Sequence, residues 1–290
     1  MQLLVAAWAN VELLSESINA QYLGWKDTAS LTFTLAFGIV HSLTFFSMTL
    51  LYTMMESRGT SYKIMPHLKR PPRALLLECL ANVAANHLLL QWLSHLFLIA
   101  PLLRMVGALD ELTASAAAAH YDITSPWEHI WRVVLCALFE DTTFYWTHRT
   151  LHHRALYARF HKRHHSFVAV HPTASEHAHI VETLVGNLLP FYLGVSILRF
   201  HGSTFILWVW MRIAETVDGH SGFELPWPAK LILSPLSLGQ ARARHTFHHS
   251  HGGGPDGVGT TGVFSSLFPF WDWVCGTDRP FHAWRAGKLR

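Results

Sequence analysis

The stretch Trp146-Thr147-His148-Arg149-Thr150-Leu151-His152, continued by His161-Lys162-Arg163-His164-His165 and closed by His171, His177, His179 and Glu182, decides how this chain is read. A helical register places His148 and His152 on one face, one turn apart, and gives His161 a partner in His164 or His165. The pattern returns with His220 and then with His245, His248 and His249. Neutral imidazole is the commonest metal ligand in biology. Of the 22 histidines, 15 lie between His148 and His251, which composition drift does not explain. One such pair is usually a packed or surface pair. Three boxes, interrupted by aromatic and aliphatic residues that a folded helix would bury, point to a folded polyhistidine metal centre. No cysteine joins them, so a hard to borderline metal, iron or zinc, suits the boxes better than a thiolate site.

Around this stretch the composition is that of a membrane protein: half of the 290 residues are hydrophobic, 14% are charged, and there are 12 Trp and 18 Phe. The mean hydropathy is +0.21. A net charge of +3 with scattered basic residues gives a weak case for nucleic acid, which is not expected as a partner, and a fair one for anionic headgroups. Cys79, Cys136 and Cys275 are far apart and odd in number, so neither a disulfide framework nor a thiolate zinc motif is readable. The first residues do not read as a cleaved secretory signal.

Taken in order, residues 1–30 are expected to form an N-terminal segment with an interfacial amphipathic helix over Trp8 to Leu23, and 31–147 transmembrane helices with short connections. The runs Leu31 to Met55 and Leu75 to Leu103 are long enough to cross a hydrocarbon core of about 30 Å. A basic, proline-bearing link, Arg58 to Arg73, lies between them on the expected cytoplasmic side. A third crossing is expected from Pro126 to His153, carrying Glu140 and Asp141 just before the first box. Residues 148–290 are expected to form the histidine-rich cap. Within it, one crossing over residues 185–211 would strand His220 and the last box across the bilayer, so a membrane-embedded hairpin broken near Arg199 is expected instead. The glycine-rich run Gly252 to Gly259 lacks the lysine and hydroxyl of a phosphate loop. It leads to an aromatic C-terminal segment with Phe268, Phe270, Trp271 and Trp273. The fold class is read as an all-α integral membrane protein, a transmembrane helix bundle with a cytoplasmic histidine-rich metal-binding helical cap.

The arrangement resembles the fatty acid hydroxylase superfamily of sterol desaturases and hydroxylases, and within it the C4-methylsterol monooxygenases. The resemblance runs from about Ser61 to the C-terminus. It rests on Tyr62-Lys63-Ile64 before Pro66, the boxes at His148-Arg149, His152 and His161 to His165, Glu176-His177-Ala178-His179-Ile180-Val181-Glu182, and Asp218 with His220-Ser221-Gly222-Phe223 and Pro226-Trp227. His245, His248 and His249 match the terminal box, and Trp271-Asp272 with Gly276-Thr277-Asp278 the ending. Two departures stand out: Thr260-Thr261 replace an Asn-Tyr pair, and Ile180 replaces a proline.

The resemblance implies a non-haem di-iron enzyme of the endoplasmic reticulum membrane, with its cap facing the cytoplasm. It would use O2 and electrons passed from NAD(P)H through cytochrome b5 and its reductase to oxidise a sterol C4 methyl stepwise to alcohol, aldehyde and carboxylate, with a C4-decarboxylating sterol dehydrogenase acting next. Zinc is an alternative occupant of a purified form. The expected ligands are His148, His152, His161, His164, His165, His179, His220, His245, His248 and His249. Glu140, Asp141, Glu176, His177, Glu182 and Asp218 are candidates for orienting them. Phe223, Trp227, Thr260 and Thr261 are candidates for the substrate mouth, and Arg149, Lys162 and Arg163 for docking an acidic electron donor. Sterol desaturation, lipid hydroxylation and aldehyde deformylation are the alternatives within the superfamily. A non-enzymatic metal transporter would place its histidines within apolar spans, whereas the boxes lie at helix ends and in polar connections.

Overall fold

A computed structural model describes residues 1–24, 27–59, 62–114, 119, 121–237, 239–251 and 262–287. The elements are helices α1 (Gln2–Ile18), α2 (Thr28–Arg58), α3 (Arg73–Met105), α4 (Ala108–Leu112), α5 (Pro126–Leu151), α6 (Ile180–Ile197), α7 (Gly202–Gly219), α8 (Ala229–Leu233), α9 (Ala241–His251), α10 (Phe270–Cys275) and α11 (Arg279–Arg285). Among the described residues the sole β feature is an isolated antiparallel bridge between Lys63 and Phe223. The fold is therefore all-α, as the histidine spacing and apolar runs predict.

Three helices, α2, α3 and α6, are long and apolar enough to cross a membrane. The shortest, α6, has 18 residues, about 27 Å at the α-helical rise. Helix α5, expected to cross, is not among them. Its 26 residues suffice in length, but it carries Glu128, Arg132, Glu140, Asp141 and Arg149; His129, Glu140, Asp141 and His148 on it are buried within the protein. The apolar run after the second box breaks into two helices between Ile197 and Gly202, where Arg199 takes a left-handed φ of 51°.

The chain divides into two compact units. In the first (residues 1–44, 84–136 and 192–212), Phe33, Phe37, His95, Tyr192 and Phe205 pack ring against ring. Polar groups on its apolar helices are paired with one another: His41 Nδ1 lies 2.8 Å from Gln91 Oε1, His87 Nδ1 lies 2.9 Å from Ser42 Oγ, and the Tyr192 hydroxyl lies 2.5 Å from His95 Nε2. Such pairs replace the water that a bilayer core cannot supply.

The second unit (residues 45–83, 137–191 and 213–290) has two apolar cores. One gathers Phe45, Met48, Tyr52, Val83, Phe167, Val217 and Phe223, and the other gathers Met65, Phe247, Val263 and Phe281. The smaller core orients α9: Phe247 sits between histidines on that helix, and its burial fixes which face the histidines occupy.

Candidate metal centre

Nine histidines of the second unit converge in two groups. His148, His152, His161, His165 and His248 form one, and His164, His220, His245 and His249 the other; within each group the ligand atoms all lie within 4.8 Å of one another. In the first group the Nε2 atoms stand 3.0–3.1 Å apart along the pairs 148–161, 161–152, 152–248, 248–165 and 165–161. In the second the separations are 2.8 Å for 220–245, 3.1 Å for 249–245 and 249–164, and 3.3 Å for 220–164.

Local structure makes this convergence. His148 and His152, like His245 and His249, stand four positions apart, one helical turn: the first pair at the end of α5, where the His152 amide still donates to the His148 carbonyl at 3.1 Å, and the second on α9. His161, His164 and His165 come from tight single turns after α5, and His220 follows the last residue of α7.

Backbone carbonyls set the tautomers. His148 Nδ1 donates to Phe264 O (2.8 Å), His248 Nδ1 to Gly262 O (3.0 Å) and His220 Nδ1 to Thr216 O (2.7 Å). A carbonyl only accepts, so each Nδ1 carries the proton and each Nε2 presents a bare lone pair. Glu182 Oε2 lies 3.0 Å from His161 Nδ1 without hydrogen-bond alignment, so this contact does not set the His161 tautomer. Bare lone pairs facing one another at about 3 Å repel unless a cation lies among them, so the residues fit a metal. Metal–imidazole bonds of about 2.1 Å meeting at right angles put neighbouring nitrogens about 3.0 Å apart, whereas a tetrahedron of the same bonds spreads them to about 3.4 Å. The five-histidine group matches the first spacing and exceeds the four ligands of the second.

Burial keeps these imidazoles neutral. Removal from water holds His161, His164, His165, His245 and His249 well below the ordinary 6.5, and repulsion from neighbouring imidazoles adds to it. His248 and His220 are lowered to about 4, also by burial, with their carbonyl partners opposing the shift. In an unfolded chain the same groups protonate near 6.5. Protons then bind the unfolded chain preferentially between pH 6.5 and about 4, so the fold is fully stabilised above that window and loses stability as pH falls through it. Metal retention and unfolding temperature, followed from pH 7.5 to pH 4.5, are expected to hold steady and then fall below about pH 6.5. A flat profile down to pH 4.5 would contradict neutral, buried ligands.

A short loop, residues 262–267, supplies two of the orienting carbonyls, and two carboxylates hold it. Asp141 accepts from the Ser266 and Leu267 amides (3.1 and 2.7 Å). Asp272 accepts from the Phe264 and Ser265 amides (2.8 and 3.1 Å), the Thr277 hydroxyl (2.7 Å) and Arg244 (2.8 Å). Asp141 thus acts on His148 through the loop backbone rather than on an imidazole directly. Asp218 likewise binds no ring: it takes the Tyr52 and Ser234 hydroxyls and pairs with Arg242, with Asp218 and Arg242 both fully buried. This ion pair ties the chain just before His220 to α9 one turn before His245. Asp218→Asn leaves Arg242 buried without its counter-charge, and a loss of about 3–5 kcal/mol is expected, read as a lowered unfolding temperature in detergent.

Of the ten histidines expected as ligands, His179 lies outside both groups. It caps α6 instead, its Nδ1 accepting the Val181 amide at 3.1 Å. His177 is buried with its ring against Phe167, and Glu176 ends the turn Pro172–Glu176. Glu140 is buried next to Asp141 on α5. Phe223 is a core residue, 2% exposed and stacked on Tyr52, so it forms no open mouth; Trp227 is exposed. Thr260 and Thr261 lie outside the described residues. Arg149, Lys162 and Arg163 are exposed, with Arg163 3.3 Å from Glu78. Tyr52, Arg242, Arg244 and Gly262 are not among the residues expected from the sequence. Arg242 carries a readable signal, a charge three residues before His245 in a strongly polar helix; the others are recognisable only once the partners are adjacent.

The sequence profile described as "Fatty acid hydroxylase" matches residues 133–277, half of the chain, and contains all nine clustered histidines. Methylsterol monooxygenase 1 of Rattus norvegicus is 35% identical over 174 residues, 57% of this chain and 54% of that protein, so the chain spans about half the length of this relative. The C-4 methylsterol oxidase of Schizosaccharomyces pombe is 26% identical over 280 residues, 94% of this chain and 86% of that one. Methylsterol monooxygenase 2-1 of Arabidopsis thaliana is 28% identical over 268 residues, 86% and 89% of the two chains. No solved structure gives a significant match. With the profile covering the whole of both histidine groups, the chain belongs to the fatty acid hydroxylase family.

Proposed function

We propose that this chain is a membrane-bound di-iron monooxygenase that oxidises the C4 methyl group of a sterol intermediate. The observation that carries the reading is the pair of histidine groups, buried except for half-buried His245, whose Nε2 atoms face one another, with backbone carbonyls leaving those of His148, His248 and His220 bare. The five-nitrogen spacing favours a metal that takes more than four ligands, as iron does, over tetrahedral zinc. His148, His152, His161, His165 and His248 would hold one ion, and His164, His220, His245 and His249 the other. Bound iron supplies the redox chemistry that cleaves an unactivated C–H bond with dioxygen, which no acid–base side chain can do.

Each oxidation to the alcohol level consumes one O2, two electrons and two protons, inserts one oxygen atom and releases one water. The protein's part is positional. The carbonyls of Gly262, Phe264 and Thr216 aim imidazoles, and burial of the ligands excludes bulk water from the reacting region. Relatives named as methylsterol monooxygenases and as a C-4 methylsterol oxidase support the substrate class. In this reading α6 and α7 form a re-entrant hairpin broken at Arg199, and the histidine cap faces the cytoplasm in the endoplasmic reticulum. Residues 142–175 contain no Asp or Glu. Arg149, Lys162 and Arg163 project from this segment beside the ligands and suit an acidic donor such as cytochrome b5.

The test is expression in a eukaryotic strain lacking sterol C4-demethylation, with sterols followed by mass spectrometry. Loss of accumulated 4,4-dimethylsterols is expected. Their persistence in a strain where the chain is present and iron-loaded would move the assignment to another reaction of the family, such as desaturation or lipid hydroxylation.

A further inference from the structure

Helix α10 has two unlike faces. Asp272 points inward and is fully buried, holding the loop whose Gly262 and Phe264 carbonyls orient His248 and His148. Phe270, Trp273 and Val274, at positions i, i+3 and i+4, lie on the opposite face and are 54%, 70% and 51% exposed. Apolar exposure this concentrated on one short helix marks an interaction surface.

The patch has a definite neighbour. Trp271 Nε1 donates to Thr142 Oγ1 at 2.9 Å, and its ring centroid lies 5.7 Å from that of Trp146. Leu138, Thr142 and Trp146 follow one another at four-residue intervals along one face of α5, and Leu138 and Trp146 are themselves exposed. The aromatic face of α10 therefore continues an exposed apolar flank of α5. Exposed Arg149 and Arg279 stand beyond Trp146 and Trp273 in sequence, and Asp278, the only acidic residue after Trp273, is buried. Aromatic rings bordered by arginines have the composition of a bilayer interface, where rings sit at the headgroup boundary and guanidinium groups reach phosphate.

We infer that α10 lies in the headgroup–acyl boundary of the bilayer through Phe270, Trp273 and Val274, so that the lipid surface braces the Asp272-held loop supporting His148 and His248. The partner is a lipid surface rather than a protein, because the patch runs on from the exposed flank of α5 in a chain that carries three helices fit to span a membrane. This rests on the membrane placement of the proposed function and holds whichever lipid is oxidised.

The test uses the full-length, metal-loaded protein in nanodiscs. Trp273→Cys in a Cys275→Ser background is labelled with an environment-sensitive fluorophore, and Arg154→Cys in the same background serves as an exposed reference. The probe at 273 is expected to be blue-shifted and quenched several-fold more by a shallow doxyl-labelled lipid than by aqueous iodide, with the reverse order at 154. Iodide quenching at 273 equal to that at 154 would overturn the inference. Shielding from both quenchers would also overturn it, assigning the patch to a second copy or another protein. Carbonate extraction reads the underlying membrane placement separately: a chain released from membranes refutes both, whereas a retained chain with an iodide-accessible probe refutes the α10 inference alone.

Discussion

Replacing His165 by alanine is expected to strip the five-histidine group of its metal and reduce turnover to background, while the chain still inserts into membranes. His165 Nε2 lies 3.0 Å from His161 Nε2 and 3.1 Å from His248 Nε2, so its loss opens a side of that group. Its ring also stacks on His249 at 4.6 Å, which places it on the border of the second group. Metal content should therefore fall from about two ions per chain to about one or fewer. The informative control is His179→Ala. That residue caps α6 through the Val181 amide, and loss of a cap costs about 0.5–2 kcal/mol without removing a ligand. Metal content equal to the unaltered protein is expected for His179→Ala, and a loss as severe as that of His165→Ala would contradict the assignment of nine clustered ligands.

Gly262→Ala is expected to damage the centre almost as much, although no ligand is touched. Gly262 has a φ of 63°, and a Cβ there would stand 1.8 Å from the backbone oxygen of Thr277. Neither partner is a side chain that can swing aside, since Val263 N donates to that same Thr277 oxygen at 3.1 Å. The loop must shift, and with it the Gly262 carbonyl that fixes the His248 tautomer and the adjacent Phe264 carbonyl that fixes His148. Disturbing the groups that orient metal-bound histidines lowers metal affinity by about 10–100-fold. Competition with a chelator of known affinity reads this directly, and an unchanged affinity would show that the loop carbonyls do not orient the ligands.

The histidines that cluster are largely legible in the sequence. The boxes at 148–152, 161–165 and 245–249 announce themselves because helical and turn periodicity converts spacing into proximity, and a nitrogen-only ligand set narrows the metal. His220 joins them through a resemblance rather than through spacing, and the structure places it 2.8 Å from His245. His179 stands outside both groups and caps a helix, a role that spacing cannot separate from ligation. Helix α5 is long enough to span, and its charges are engaged inside the protein: Asp141 holds the 266–267 amides, and Arg132 donates to the Leu198 carbonyl at 3.3 Å. The supporting apparatus is the least legible part. Asp272 and Gly262 act through backbone atoms, and Asp218 acts through Arg242, a partner 24 residues away. No one-dimensional pattern encodes such long-range polar contacts, and only their assembly explains why these residues stand where they do.

The proposed di-iron centre stands or falls on the iron content of the purified chain expressed with sufficient iron, measured together with Mössbauer spectra of the 57Fe-enriched protein. Two buried histidine groups predict about two irons per chain in nitrogen-rich environments, lost together when His165 and His249 are both replaced. A fully folded, membrane-inserted chain that binds no iron, or that keeps its iron after both replacements, would contradict a di-iron centre built from these histidines.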